Sequence, residues 1–186
     1  MANSSSRSLD YVDAIEEMKW PELRALWIKI KDGNTPGWDP GKALEHLIVR
    51  AFRLSKLDAE YPYDVPPGGK PLEQIDGVIY FEGLVFLVES KDTKSEDISA
   101  IAKLKMQLDR RPATVFGMIF LTGPLTMPAI ELTSITPPHR ILLWQTQDIE
   151  AAIKAKNFRA ALQQKYRKLC RYGLIDGSSH WRDLEV

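Results

Sequence analysis

The sequence predicts an α/β protein, a three-layer α/β/α sandwich with a mixed central sheet, on three observations. Residues 74–91 hold two β-branched and aromatic runs separated by Glu82-Gly83, the pattern of a hairpin with a tight two-residue turn. Residues 113–121 are a nearly unbroken apolar run, which suits a central strand buried on both faces. Around them apolar residues recur at helical spacing, so helices are expected on both faces of the sheet.

The polar start, residues 1–7, predicts a disordered segment and lacks the apolar stretch of a signal peptide. Residues 9–31 read as two short helices meeting at Trp20-Pro21, since proline suits a first helical position. Leu23, Leu26, Trp27 and Ile30 give the second one apolar face, and residues 32–38 form a loop. Asp39-Pro40 sets a capping residue before a proline and opens a helix over residues 39–54. Its apolar face carries Leu44, Leu47, Ile48, Ala51 and Phe52. Glu45 precedes Ile48 by three residues and Phe52 by seven, so it lies at the margin of that face and can point toward the sheet.

Residues 59–65 predict a first strand and residues 66–71 an exposed turn. Beyond the hairpin, Thr93 to Glu96 resembles a capping box, with Ser95 the other candidate cap. Ile98, Ile101, Ala102 and Leu108 then form the stripe of a helix ending near residue 111. Residues 125–139 read as loop with one helical turn at most. A last strand over residues 140–144 precedes helices at residues 147–155 and 158–172, and residues 173–186 form a tail.

With 186 residues and 44% apolar content, the chain can build one sizeable core. Lys and Arg total 25, as do Asp and Glu, so a nucleic-acid partner must be met by a local patch. Cys170 is the only cysteine, which excludes an internal disulfide and a cysteine-rich zinc site and points to a reducing, cytoplasmic setting. Within the basic helix it has no acid or base partner in sequence, as a packed residue would have none. Apolar runs are strand-sized, so no membrane span is expected. Residues 37–43 imitate a phosphate-binding loop but are one spacer short and lack its Ser/Thr, so no nucleotide cofactor is expected. His46, His139 and His180 are scattered and make no metal site.

The hairpin concentrates the chemistry. If Phe81 pairs with Leu84, stepping outward sets Asp76 across from Glu89 and Gln74 across from Lys91. Directly opposed residues carry Cβ atoms about 4.5–5.5 Å apart, and opposed like charges repel. Something cationic must stand between the two carboxylates: a divalent metal, or Lys91 alone as a strand-surface ion pair.

These residues resemble the PD-(D/E)XK phosphodiesterase superfamily, the restriction-endonuclease-like fold, and within it the Mrr-type restriction endonucleases. The superfamily pattern is a glutamate on the first core helix, an aspartate on a hairpin strand, and Glu-x-Lys on the next strand followed by a helix. Glu45, Asp76, Glu89 and Lys91 stand in that order. The last strand at residues 140–144, with Asp148, Ile149, Ala152 and Ile153 after it, is also similar to Mrr-like domains. Two features depart from the pattern: Glu73-Gln74-Ile75 stand where Mrr-like proteins usually carry glycines, and Ser90 fills the middle of Glu-x-Lys.

The resemblance implies a catalytic domain over residues 39–156, between a tail and helical extension at residues 1–38 and a basic helix and tail at residues 157–186. It implies a DNA endonuclease in which Asp76, Glu89 and the Ser90 carbonyl, with Glu45, hold Mg²⁺ or Mn²⁺. Lys91 would act electrostatically, and Gln74 would orient water or a phosphate oxygen. Defence or mobile-element biology is the implied setting.

Nucleic-acid contact is expected from Lys94, Lys103 and Lys105 beside the site, and from Lys165, Arg167 and Lys168 in a basic stretch without acidic residues. Cutting both strands of a duplex needs two sites, hence a possible homodimer. The alternative is a nuclease-fold module that binds DNA or a protein without cleaving, and a third reading is an assembly subunit that never touches nucleic acid.

Overall fold

The computed structural model describes residues 3–65, 73–129, 131 and 140–173. Three helices lead in, α1 (Asn3–Glu16), α2 (Trp20–Lys31) and α3 (Lys42–Leu54), followed by strands β1 (Asp58–Glu60), β2 (Tyr63–Val65) and β3 (Glu73–Ile75). The hairpin is β4 (Gly77–Phe81) and β5 (Leu84–Lys91), and α4 (Ser99–Asp109) crosses to β6 (Val115–Leu121). After β7 (Ile141–Trp144) come α5 (Thr146–Ala155) and α6 (Phe158–Tyr172).

The main sheet runs β1-β4-β5-β6-β7. Its β1, β4 and β5 pair antiparallel, while β5, β6 and β7 are parallel, so the sheet is mixed as expected. Alternation along β6 explains its apolar run. Met118 and Phe120 enter a core with Phe52 and Trp27, whereas Ile119 and Leu121 enter a second core with Leu104 and Leu108 of α4. Helices therefore cover both faces, as the three-layer class requires. The first core also takes in Ile15, Leu23, Phe158 and Leu162, which joins the leading and trailing helices to the central layer.

Several boundaries differ from expectation. Helical structure begins at Asn3, inside the segment expected to be disordered. Gly41, at φ 82°, caps α3, so that helix opens two residues beyond the expected proline start. Glu96 does accept from Thr93 Oγ1 at 3.2 Å, but it also accepts from Ser99 Oγ at 3.2 Å. Its backbone bridges to Leu125, and α4 starts only at Ser99. The expected strand over residues 59–65 is split: β1 joins the main sheet, and β2 pairs with β3 in a separate two-stranded ribbon. The turn expected at residues 66–71, most of the loop at residues 125–139, and the tail beyond Gly173 lie outside the described residues. Among the described residues no helix is long and apolar enough to cross a membrane.

Candidate active site

Glu82 and Gly83 both have positive φ, 50° and 78°, the geometry of a type I′ turn whose twist matches the flanking strands. That turn sets Phe81 opposite Leu84, and the register holds outward to Gly77 opposite Val88. Glu89 and Lys91 thus face α4 with Leu87, beside the ends of the parallel strands β5 and β6. The C-terminal ends of parallel strands are a common location for ligand sites.

The ladder stops one step before the expected pair. Asp76 is a bend residue, and its Oδ2 accepts a hydrogen bond from the Ser90 backbone N–H at 2.8 Å. The cause is the departure of β3, which leaves the hairpin to pair with β2. Gln74 stands opposite Asp64, exposed, and not across from Lys91. Its carbonyl accepts from Gln107 Nε2 at 3.3 Å. Gln74 is therefore not brought to the acidic cluster in the way its sequence position suggested.

Glu45 reaches the same end of the sheet through a close helix approach. A Cβ on Gly77 would lie 2.7 Å from Val49 Cγ2 and 3.1 Å from the Glu60 carbonyl, so only glycine lets α3 and β1 pack there. Glu45 lies one turn before Val49, is 8% exposed, and pairs with Lys42 Nζ at 2.7 Å. Lys42 lies outside the residues expected from sequence, and its i,i+3 spacing to Glu45 is the signal that marks it.

Glu89 is fully buried, and two ammonium groups hold it. Lys91 Nζ lies 2.9 Å from Oε1, while Lys103 Nζ donates to both oxygens at 2.9 and 2.7 Å. Lys103 comes from α4, whose height is set by another glycine. A Cβ on Gly117 would meet Leu104 Cδ2 at 2.6 Å, so the residue next to Lys103 rests directly on the β6 backbone. Lys103, expected from sequence to contact DNA, has Glu89 as its partner in the fold.

Burial pushes the Asp76 carboxyl up to about 7, with the charges of Glu45 and Glu89 adding to the effect and Ser90 N–H and Lys103 opposing it. Burial likewise raises Glu45, against the pull of Lys42, with Glu89 raising it further. Lys91 is drawn down by burial, yet the hydrogen bond and charge of Glu89, with Asp76 and Glu96, outweigh this and leave it above the ordinary lysine value. It is accordingly an ammonium at neutral pH, suited to stabilising charge and not to accepting a proton.

The donor chemistry fits a hard divalent ion. Carboxylate oxygens are what Mg²⁺ and Mn²⁺ prefer, and negative charge at Asp76 stays poorly compensated despite Lys103. Ser90 Oγ, buried on β5 on the face opposite Glu89 and Lys91, has no hydrogen-bond partner among the described residues. The side chains are not arranged as a finished cage, however. Among the described residues no three His, Cys, Asp or Glu groups stand together closely enough to hold an ion, because Asp76 turns to Ser90 N–H and Glu89 to the lysines.

The remaining basic candidates divide. Lys94 is exposed just beyond β5, and Lys105 is half-buried on α4. Lys165 is 8% exposed and donates to the Leu143 carbonyl at 2.8 Å and to Asp148 at 2.9 Å, so its ammonium is spent on packing and not presented to a phosphate. Arg167 and Lys168 line a shallow groove of about 220 Å³ with Gln163, Gln164 and Arg171. Tyr166 packs on Phe86 and Phe116 near the starts of β5 and β6, which puts this stretch at the end of the sheet away from Lys91.

No protein-family model matches the chain, and no curated protein does. Among solved structures it is similar to the DNA modification-dependent restriction endonuclease AspBHI, at 16% identity and TM-score 0.44, over 84% of this chain and 42% of that one. It is also similar to the MspJI restriction endonuclease in complex with a 27-mer oligonucleotide, at 18% identity and TM-score 0.44, over 88% of this chain and 38% of that one. The chain spans about two fifths of the length of each.

Proposed function

We propose that the chain is a divalent-metal-dependent DNA endonuclease that hydrolyses phosphodiester bonds with water as the nucleophile. The observation that carries this reading is that Asp76 accepts from the Ser90 N–H at 2.8 Å, between Glu89 and Lys91, which pair at 2.9 Å, while Glu45 of α3 and Glu89 both bear electrostatically on Asp76. Perturbed, mutually coupled acids at strand ends are a mark of functional sites. The four residues also fill the order of the nuclease superfamily that the sequence resembles.

Asp76, Glu89 and the Ser90 carbonyl would hold Mg²⁺ or Mn²⁺, with Glu45 joining directly or through water. When bound, the ion acidifies the attacking water and neutralises charge on the phosphate. Lys91, held protonated by Glu89, stabilises the developing negative charge. Lys42 keeps Glu45 oriented toward the cluster. The implied setting, defence or mobile-element biology, with duplex cleavage by a homodimer, belongs to the same reading.

A second reading is favoured by the Glu89 ion pairs with Lys91 and Lys103, which balance that carboxylate without a metal. In it the chain is a nuclease-fold module that binds DNA or a protein without cutting. A plasmid-nicking assay with Mg²⁺ or Mn²⁺ separates the two. Nicking that disappears in EDTA and in Lys91→Ala supports the enzyme, whereas DNA binding indifferent to metal with no nicking supports the module.

A further inference from the structure

Lys103 holds Glu89 at the acidic cluster, although it lies outside the Glu-x-Lys pattern. Its ammonium spans both oxygens of Glu89, at 2.9 and 2.7 Å. Its charge also acts on Asp76 and on Glu45. One ammonium therefore bonds Glu89 of β5 and bears electrostatically on Asp76 at the bend before β4 and on Glu45 of α3. Those are the groups, and the Glu89 oxygens the atoms, that a divalent ion would need.

The two lysines on Glu89 differ in how they can leave it. Lys91 sits two residues along the same strand and shares its face, so it stays beside Glu89 whatever else binds. Lys103 reaches in from a helix on a four-carbon arm, and its side chain is 44% exposed against 1% for Glu89. A half-exposed ammonium regains hydration and rotamer freedom on release, which offsets part of the contact it gives up. The buried carboxylate has no such freedom and must keep a positive partner.

Resting on the metal-dependent reading above, we propose that Lys103 is a built-in surrogate cation: it occupies Glu89 while the site is ion-free and must be displaced for a divalent metal to bind. Lys103 thereby lowers metal affinity and keeps the ion-free protein stable. It is a positioning residue for Glu89, distinct in role from Lys91.

The test is Mn²⁺ binding to the full chain, followed by loss of the free-ion electron paramagnetic resonance signal, with thermal melting of the same samples. Lys103→Met is expected to bind Mn²⁺ about tenfold more tightly than wild type, the size of one lost charge-assisted competitor. It should melt lower without metal and show a larger upward shift with it. Lys103→Arg keeps the charge and should bind within about threefold of wild type, while Asp76→Asn should bind weakly. If Lys103→Met does not fold, Lys103→Gln decides by the same criterion.

Should the Lys103 variants bind no more tightly while wild type binds and Asp76→Asn does not, the surrogate role is refuted and the metal site stands. Should wild type and the Lys103 variants all fail to bind Mn²⁺ at millimolar concentration, both the surrogate role and the metal-dependent reading fail.

Discussion

Replacing Asp76 by asparagine should make the ion-free protein more stable, and increasingly so as pH rises. Asp76 is 6% exposed and keeps its proton to about pH 7 in the folded chain, against 3.8 for an ordinary aspartate. Between those values the native state holds a proton that the unfolded state has released. Stability then falls as pH rises, and the full penalty is in place above about 7. At about 1.36 kcal/mol per pKa unit, a three-unit shift costs about 4 kcal/mol, of which about 1.5 is already present at pH 5. Asparagine removes the charge and keeps an oxygen for Ser90 N–H. Urea denaturation in EDTA should therefore show the variant ahead of wild type by a margin that widens by about 2–3 kcal/mol from pH 5 to pH 8. A margin constant to within about 0.5 kcal/mol, near the limit for a well-measured difference, would refute the claim that Asp76 is buried among like charges.

Two further outcomes follow from the packing. Gly117→Ala puts a Cβ 2.6 Å from Leu104 and should cost about 1–3 kcal/mol in urea denaturation, with partial recovery when Leu104→Ala is added. In DNA-binding titrations across salt concentration, Arg167→Gln should lower the salt slope by about 1, whereas Lys165→Met should leave it unchanged because that ammonium is already paired inside the fold. Equal slopes for both variants would remove Arg167 from the interface.

Local pattern carried most of the fold. The Glu82-Gly83 turn determined a register that holds over all of β4, since a turn with two positive-φ residues permits only one pairing of its flanks. The apolar run at β6 and the helically spaced apolar face of α3 were legible for a similar reason: strand and helix periods of about 2 and 3.6 are properties of contiguous sequence. The margin position of Glu45 was contained in that helical spacing.

What sequence missed depends on contacts between distant elements. Asp76 faces the Ser90 N–H because β3 is captured by β2, an exchange of partners invisible to hairpin arithmetic. Lys103 looked like a surface cation, and only the depth at which α4 settles onto Gly117 delivers it to Glu89, 14 residues away in sequence. Lys165 looked like part of a basic stripe, and the Leu143 carbonyl and Asp148 claimed it. Sequence by itself determined the hairpin register that sets Glu89 and Lys91 on one face of β5. Tertiary structure decided the pairing among them, because a buried charge takes whichever partner the packing brings nearest.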